Sequence, residues 1–186
     1  MIVTERLELV PATIGLVQAA LDGAVALAAS LHATVSPGWP PEYLDAAALE
    51  FIRNRLTKSP EETSWWMYFA VIPGGTAPRI LIGSVGYKGP PSADGTVEVG
   101  YGIVVEYQRH GYASEAVRGL VGRAFAEPSV ARVIAETYPT LIGSIGVLQK
   151  CGFRLIGDGS EPGVIRFELL RAEHPVESAP MGVGST

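Results

Sequence analysis

The chain has 186 residues, 47% of them hydrophobic, and carries a formal net charge of −5, which is enough apolar material for one well-packed domain and too little length for two. Its acidic pI near 5.2 and scattered arginines argue against a nucleic-acid-binding face. One cysteine, Cys151, rules out an internal disulfide, and three widely spaced histidines without cysteine partners give no metal pattern.

Residues 1–5 have neither a basic n-region nor a long apolar h-region, so the expectation is a cytoplasmic protein. Residues 23–41 carry no charge, but His32, Ser36, Pro37, Pro40 and Pro41 interrupt them, which excludes a membrane span.

Residues 2–10 alternate, with Val3, Leu7 and Leu9 on one face and Thr4, Arg6 and Glu8 on the other, as in a half-buried strand that Pro11 stops. A helix over 14–21 ends at Asp22-Gly23, and a second, Ala-rich one covers 24–31. Ser36-Pro37-Gly38-Trp39-Pro40-Pro41 is a loop, because its prolines remove donors and its glycine loosens the backbone. Trp39 is either a platform on the substrate side or a side chain that packs the loop onto the core. Asp45 is placed to cap a helix with the stripe Ala48, Leu49, Ile52 and Leu56, ending before Ser59-Pro60.

Strands over 65–72 and 79–87 are joined by a hairpin-type loop, and a second loop over 89–95 leads into a strand over 97–105. The first half of the sheet is therefore antiparallel. Ala113, Ala116, Val117, Leu120, Val121, Ala124 and Phe125 form one apolar stripe on a helix that Pro128 ends. A strand over 131–138 follows, then a helix for which Thr140 is a candidate cap and which Gly152-Phe153 stops in a Schellman motif. Strands over 153–156 and 164–170 close the sheet. Residues 1–171 form the domain, and 172–186, rich in Pro, Gly and Ser without periodicity, read as a flexible tail.

The most informative stretch is the junction of the 97–105 strand with the 113–125 helix. A glycine turn there leaves the first N–H groups of the helix unpaired at the positive end of its dipole, which makes an anion site. Gly111 lets a phosphate approach the backbone, with Arg109 and His110 beside it. Gly100-Tyr101-Gly102 is not a dinucleotide fingerprint, because no third glycine follows at the required spacing.

Gln108-Arg109-His110-Gly111-Tyr112-Ala113, continued by Ser114-Glu115-Ala116, resembles the Q/R-x-x-G-x-G/A pyrophosphate loop of the GNAT superfamily of acyl-CoA-dependent N-acetyltransferases. Thr4-Glu5-Arg6-Leu7-Glu8-Leu9 resembles the opening strand of its Rim-like branch, which acetylates ribosomal-protein amino termini and similar amines. Residues 144–153 resemble that branch's late helix. The resemblance implies an α/β (α+β) domain with a mixed, mostly antiparallel sheet of about seven strands, splayed at the middle and flanked by four to five helices.

It further implies acetyl-CoA as co-substrate and no metal. The acceptor would be a small-molecule amine or a peptide amino terminus, and the protein a monomer or homodimer. In the family the pantetheine lies in the splay against free backbone groups. Here those are Ile103, Val104 and Val105, with the N–H of Val104 or a neighbour polarising the thioester carbonyl. The pyrophosphate falls to Gln108, Arg109, His110, Gly111, Tyr112, Ala113 and Ser114, and the acceptor side to Trp39. Glu98 matches the general base or is a strand-end glutamate facing solvent, with Glu136 the competing base, and Ser144 matches the proton donor to the leaving thiolate or a serine satisfying the helix start. The tyrosine acid of other branches falls at Leu148, and Leu141 replaces an asparagine that contacts the cofactor. Cys151 reads as a small buried hydrophobe. Besides an N-acetyltransferase, the alternatives are a non-catalytic acyl-CoA-binding protein and a domain whose turn binds another phosphate ligand.

Overall fold

A computed structural model describes residues 1–174. Alternating apolar runs and Gly/Pro punctuation become nine strands: β1 (Ile2–Val3), β2 (Glu8–Pro11), β3 (Thr34–Val35), β4 (Met67–Ile72), β5 (Ile80–Tyr87), β6 (Thr96–Ile103), β7 (Arg132–Thr137), β8 (Arg154–Asp158) and β9 (Ile165–Leu170). The periodic segments become α1 (Ile14–Asp22), α2 (Ala24–Leu31), α3 (Ala46–Lys58), α4 (Tyr112–Ala126) and α5 (Ile142–Lys150).

The sheet order is β1-β2-β4-β5-β6-β7-β9-β8, with β3 beside β5. Only β3–β5 and β6–β7 are parallel. Two strands more than the expected seven arise from two-residue pairings. The 2–10 segment folds on itself, Ile2 opposite Leu9, because Thr4 closes a turn with Leu7. Thr34–Val35 is too short to show a period.

Apolar side chains cover both faces. On one, Leu9, Ile82, Val97 and Val99 meet Val117, Leu120 and Phe153; on the other, Phe69, Val71 and Leu81 meet Val17, Leu27 and Leu56. Sheet strands such as β4, buried on both sides, therefore read as continuous apolar runs.

Helix ends follow local chemistry, with one exception. Thr13 Oγ1 accepts from Leu16 N at 3.3 Å, and Asp45 Oδ1 from Ala48 N at 2.8 Å. Gly152, at φ 86°, and Phe153 donate to the Gln149 and Leu148 carbonyls, the bond pair of a Schellman stop. Thr140 does not cap α5: Leu141 is the N-cap, and the Thr140 carbonyl takes Ile142 N instead.

The described residues continue to His174. Arg171 donates to the carbonyls of Phe125, Glu127 and Val130 at the end of α4, and His174 packs edge-on against Phe125. The remainder of the tail expected from residue 172 lies outside the described residues.

Candidate active site

The site grows from one mismatch of pairing. β6 pairs with β5 as far as Ile103↔Gly83, but with β7 only as far as Glu98↔Ile134. Past Glu98 the two strands part, which is the splay expected at the middle of the sheet. Backbone groups alternate sides along a strand. Val104 N donates to the Ile82 carbonyl on the β5 side at 2.9 Å, so the groups turned into the opening are those of Tyr101 and the N–H of Ile103. The expected Val104 N–H is thus already committed to the sheet. The Ile103 carbonyl is held by Gln108 Nε2 at 2.9 Å, so Gln108 shapes the opening from within.

A 3-10 turn over Val105–Tyr107, whose Val105 side chain is exposed, leads to the loop. His110 Nδ1 donates to the Gln108 carbonyl at 2.7 Å, and Arg109 and Gly111 both hold positive φ, 64° and 84°. A Cβ at Gly111 would lie 3.3 Å from Arg6 Nη2 besides adopting a backbone conformation that L side chains avoid.

α4 then starts without a side-chain cap, unlike α1 and α3, and its first internal bond is Glu115 N to the Gly111 carbonyl. The N–H groups of Tyr112, Ala113 and Ser114 are left facing the loop at the positive end of a helix of 15 residues. An uncapped helix start beside Arg109 and His110, reached through a glycine, can hold a phosphate group.

Sequence reasoning did not assign the brace behind this loop. Thr4 Oγ1 and Arg6 N donate to Glu115 Oε1 at 2.6 Å each, and Arg6 Nη1 donates to the His110 carbonyl at 3.0 Å. Burial pushes the Glu115 carboxyl up, but the Thr4 and Arg6 donors outweigh it and hold the group below the usual glutamate range. Thr4, Arg6 and Glu115 all lie in segments that carry the family resemblance, yet nothing in sequence says that they meet.

The expected proton-moving residues fall around the opening. Ser144 sits in the first turn of α5, and both its carbonyl and its Oγ lie 3.0 Å from Tyr101 Oη. Leu148 is fully buried. Glu98 lies at the last β6–β7 pair and forms an ion pair with Lys88. Glu136, its competitor, is occupied: Ser160 N and Oγ and the Arg166 guanidinium all donate to it. Burial raises that carboxyl, but those donors more than offset it and hold it low. Glu136 thus ties β7 to Arg166 of β9 and to Ser160.

Trp39 is half-buried, and its ring lies 5.8 Å from that of Phe69 within the α1–α3 core. It also borders a concavity of about 250 Å³ with Ala20, Leu21 and Leu44. The loop it belongs to does reach the site, since a Cβ on Gly102 of β6 would lie 3.1 Å from Pro41. Cys151 donates to the Ser114 carbonyl at 3.4 Å, and burial raises its thiol pKa, with Arg118 opposing, so it is no thiolate nucleophile. Among the described residues no cluster of His, Cys, Asp and Glu could hold a metal ion, and no helix is long and apolar enough to cross a membrane.

A family model described as an acetyltransferase (GNAT) domain matches residues 6–154, which include Arg6 and Glu115 of the brace, the opening and the loop. The chain belongs to the GNAT acetyltransferase family. It is 32% identical over 75 residues to YjdG of Bacillus subtilis (strain 168), an uncharacterized N-acetyltransferase, an overlap of 40% of this chain and 45% of that one. The curated relatives it matches are spanned over about a third to a half of their length.

The GNAT fold is also seen in the acetyltransferase (GNAT family) from Bacillus anthracis, at TM-score 0.63 and 22% identity, covering 92% of this chain and 99% of that one. RimL, a ribosomal L7/L12 alpha-N-protein acetyltransferase solved with coenzyme A, aligns at TM-score 0.61 and 18% identity, covering 92% of this chain and 98% of that one. At these identities the likeness is one of fold.

Proposed function

We propose that this protein moves an acetyl group from acetyl-CoA to a primary amine by direct attack in a ternary complex. The observation that carries the reading is the uncapped start of α4 behind Gly111, set next to unpaired β6 backbone at Tyr101 and Ile103. An acyl transfer from thioester to amine needs a held carbonyl, an unprotonated amine and a donor for the leaving thiolate. In this reading the N–H groups of Tyr112, Ala113 and Ser114, with Arg109 and His110, take the pyrophosphate, and the backbone of Tyr101 and Ile103 takes the pantetheine and polarises the carbonyl. Ser144 serves the thiolate, and Glu98 receives the amine proton directly or through water.

The acceptor is a neutral or weakly charged small amine or a peptide amino terminus, because residues 36–41 around Trp39 carry no acidic side chain of their own for a polycation. We place the reaction in the cytoplasm, in a monomer or homodimer. A second reading, acyl-CoA binding without turnover, is favoured by the Lys88–Glu98 pair, which engages the proposed base, and by Leu141 in place of the family asparagine. A thiol-release assay with acetyl-CoA across amino-terminal peptides, amino acids, polyamines and aminoglycosides decides. Turnover of peptides or small amines supports the enzyme, robust turnover of an aminoglycoside alone overturns the acceptor class, and binding without release on any amine favours the second reading.

A further inference from the structure

Tyr101 leaves β6 after the strand has parted from β7, and its hydroxyl crosses to the first turn of α5. Among the described residues this is the only side-chain hydrogen-bonded link between β6 and α5. A phenol has one proton, and a carbonyl can only accept. The proton therefore goes to the Ser144 carbonyl, and the 3.0 Å contact with Ser144 Oγ is satisfied by the serine donating to the phenol oxygen. In the ligand-free protein the serine O–H is thus held in one orientation by Tyr101.

We infer that Tyr101 is a positioning residue for Ser144, the two hydroxyls forming a relay that stabilises the thiolate of departing CoA. The inference rests on the acetyl-CoA reading above. When charge develops on sulfur, the serine O–H turns to it and the Tyr101 O–H shifts from the carbonyl to Oγ. Both O–H groups keep an acceptor, no proton leaves either oxygen, and the second bond polarises the first. Burial keeps the phenol protonated, its pKa pushed up to about 12 against the lowering effect of the Ser144 bond, with Cys151 adding to the rise. The sheet thus supplies a second hydroxyl beside the one Ser144 carries on α5.

The test is an ultraviolet titration of the bound CoA thiol in wild type, Tyr101→Phe, Ser144→Ala and the double variant. Cys151, the only protein thiol, is held protonated by burial despite Arg118 and is subtracted with the ligand-free spectrum. Tyr101→Phe is expected to raise the pKa of the bound thiol by about one pH unit, Ser144→Ala by at least as much, and the double variant by no more than Ser144→Ala. Turnover in Tyr101→Phe falls about tenfold with KM for acetyl-CoA within about twofold. An unchanged thiol in Tyr101→Phe, or additive shifts in the double variant, overturns the inference while leaving acetyl transfer standing. Failure of wild type to bind CoA overturns the functional reading, and this inference with it. Ser144→Ala reads the relay from its other end without touching the tyrosine ring.

Discussion

Arg6 and Glu115, 109 residues apart in sequence, are joined by two bonds of 2.7 Å from Nε and Nη2 to one carboxylate oxygen, so the first hairpin is fastened to the first turn of α4. The other oxygen is taken by Thr4 and by the Arg6 backbone. Glu115→Gln is expected to destabilise the fold by about 2 kcal/mol, the range for hydrogen bonds to a charged group. Because the folded-state carboxyl lies below the ordinary 4.5, this contribution is complete above that pH and is lost as pH falls through the folded value. Melting curves should therefore show wild type losing more stability than Glu115→Gln below about pH 4.5; parallel acid limbs would refute the assignment.

Gly111→Val places a β-branched side chain at φ 84°, against Arg6 Nη2 and where a phosphate would approach the backbone. Acetyl-CoA at a hundred times its Kd should stabilise wild type by about 2.7 kcal/mol, a shift plain in a thermal scan. In the variant that ligand-induced shift should vanish while a cooperative transition persists. A full shift retained in Gly111→Val would move the phosphate elsewhere.

Glu98→Gln is expected to lower kcat/KM by about 10²-fold, most at low pH where the amine is protonated, with acetyl-CoA affinity nearly unchanged. Glu136→Gln should cost stability and leave kcat/KM alone, since both of its oxygens bind Ser160 or Arg166. PH–rate profiles of the two variants separate the roles, and a wild-type profile in Glu98→Gln would remove it as base.

Trp39→Ala should lower stability by about 2–3 kcal/mol, below the range of about 3–5 for a fully buried aromatic because Trp39 is half-buried, although its ring packs on Phe69. KM for the acceptor should stay within about twofold. A large rise in KM at unchanged melting temperature would return Trp39 to the acceptor platform.

The sequence by itself determined the parts that depend on near neighbours in the chain. The stripe from Ala116 to Phe125, the Asp45 cap, the Gly152-Phe153 stop and the glycine at the start of α4 each need only residues a few positions apart. Tertiary structure alone decided what lies across the sheet. Two-residue strands have no period, and which face or edge a backbone group uses depends on where a partner strand ends. That is why the sequence could not tell that the Val104 N–H bonds the Ile82 carbonyl across the sheet. The side chains that brace or engage the proposed site, Arg6 on Glu115, Lys88 on Glu98, Arg166 on Glu136 and Tyr101 on Ser144, pair residues from separate segments of the chain. Charge and hydrogen-bond satisfaction act through space, and sequence spacing carries no record of those distances.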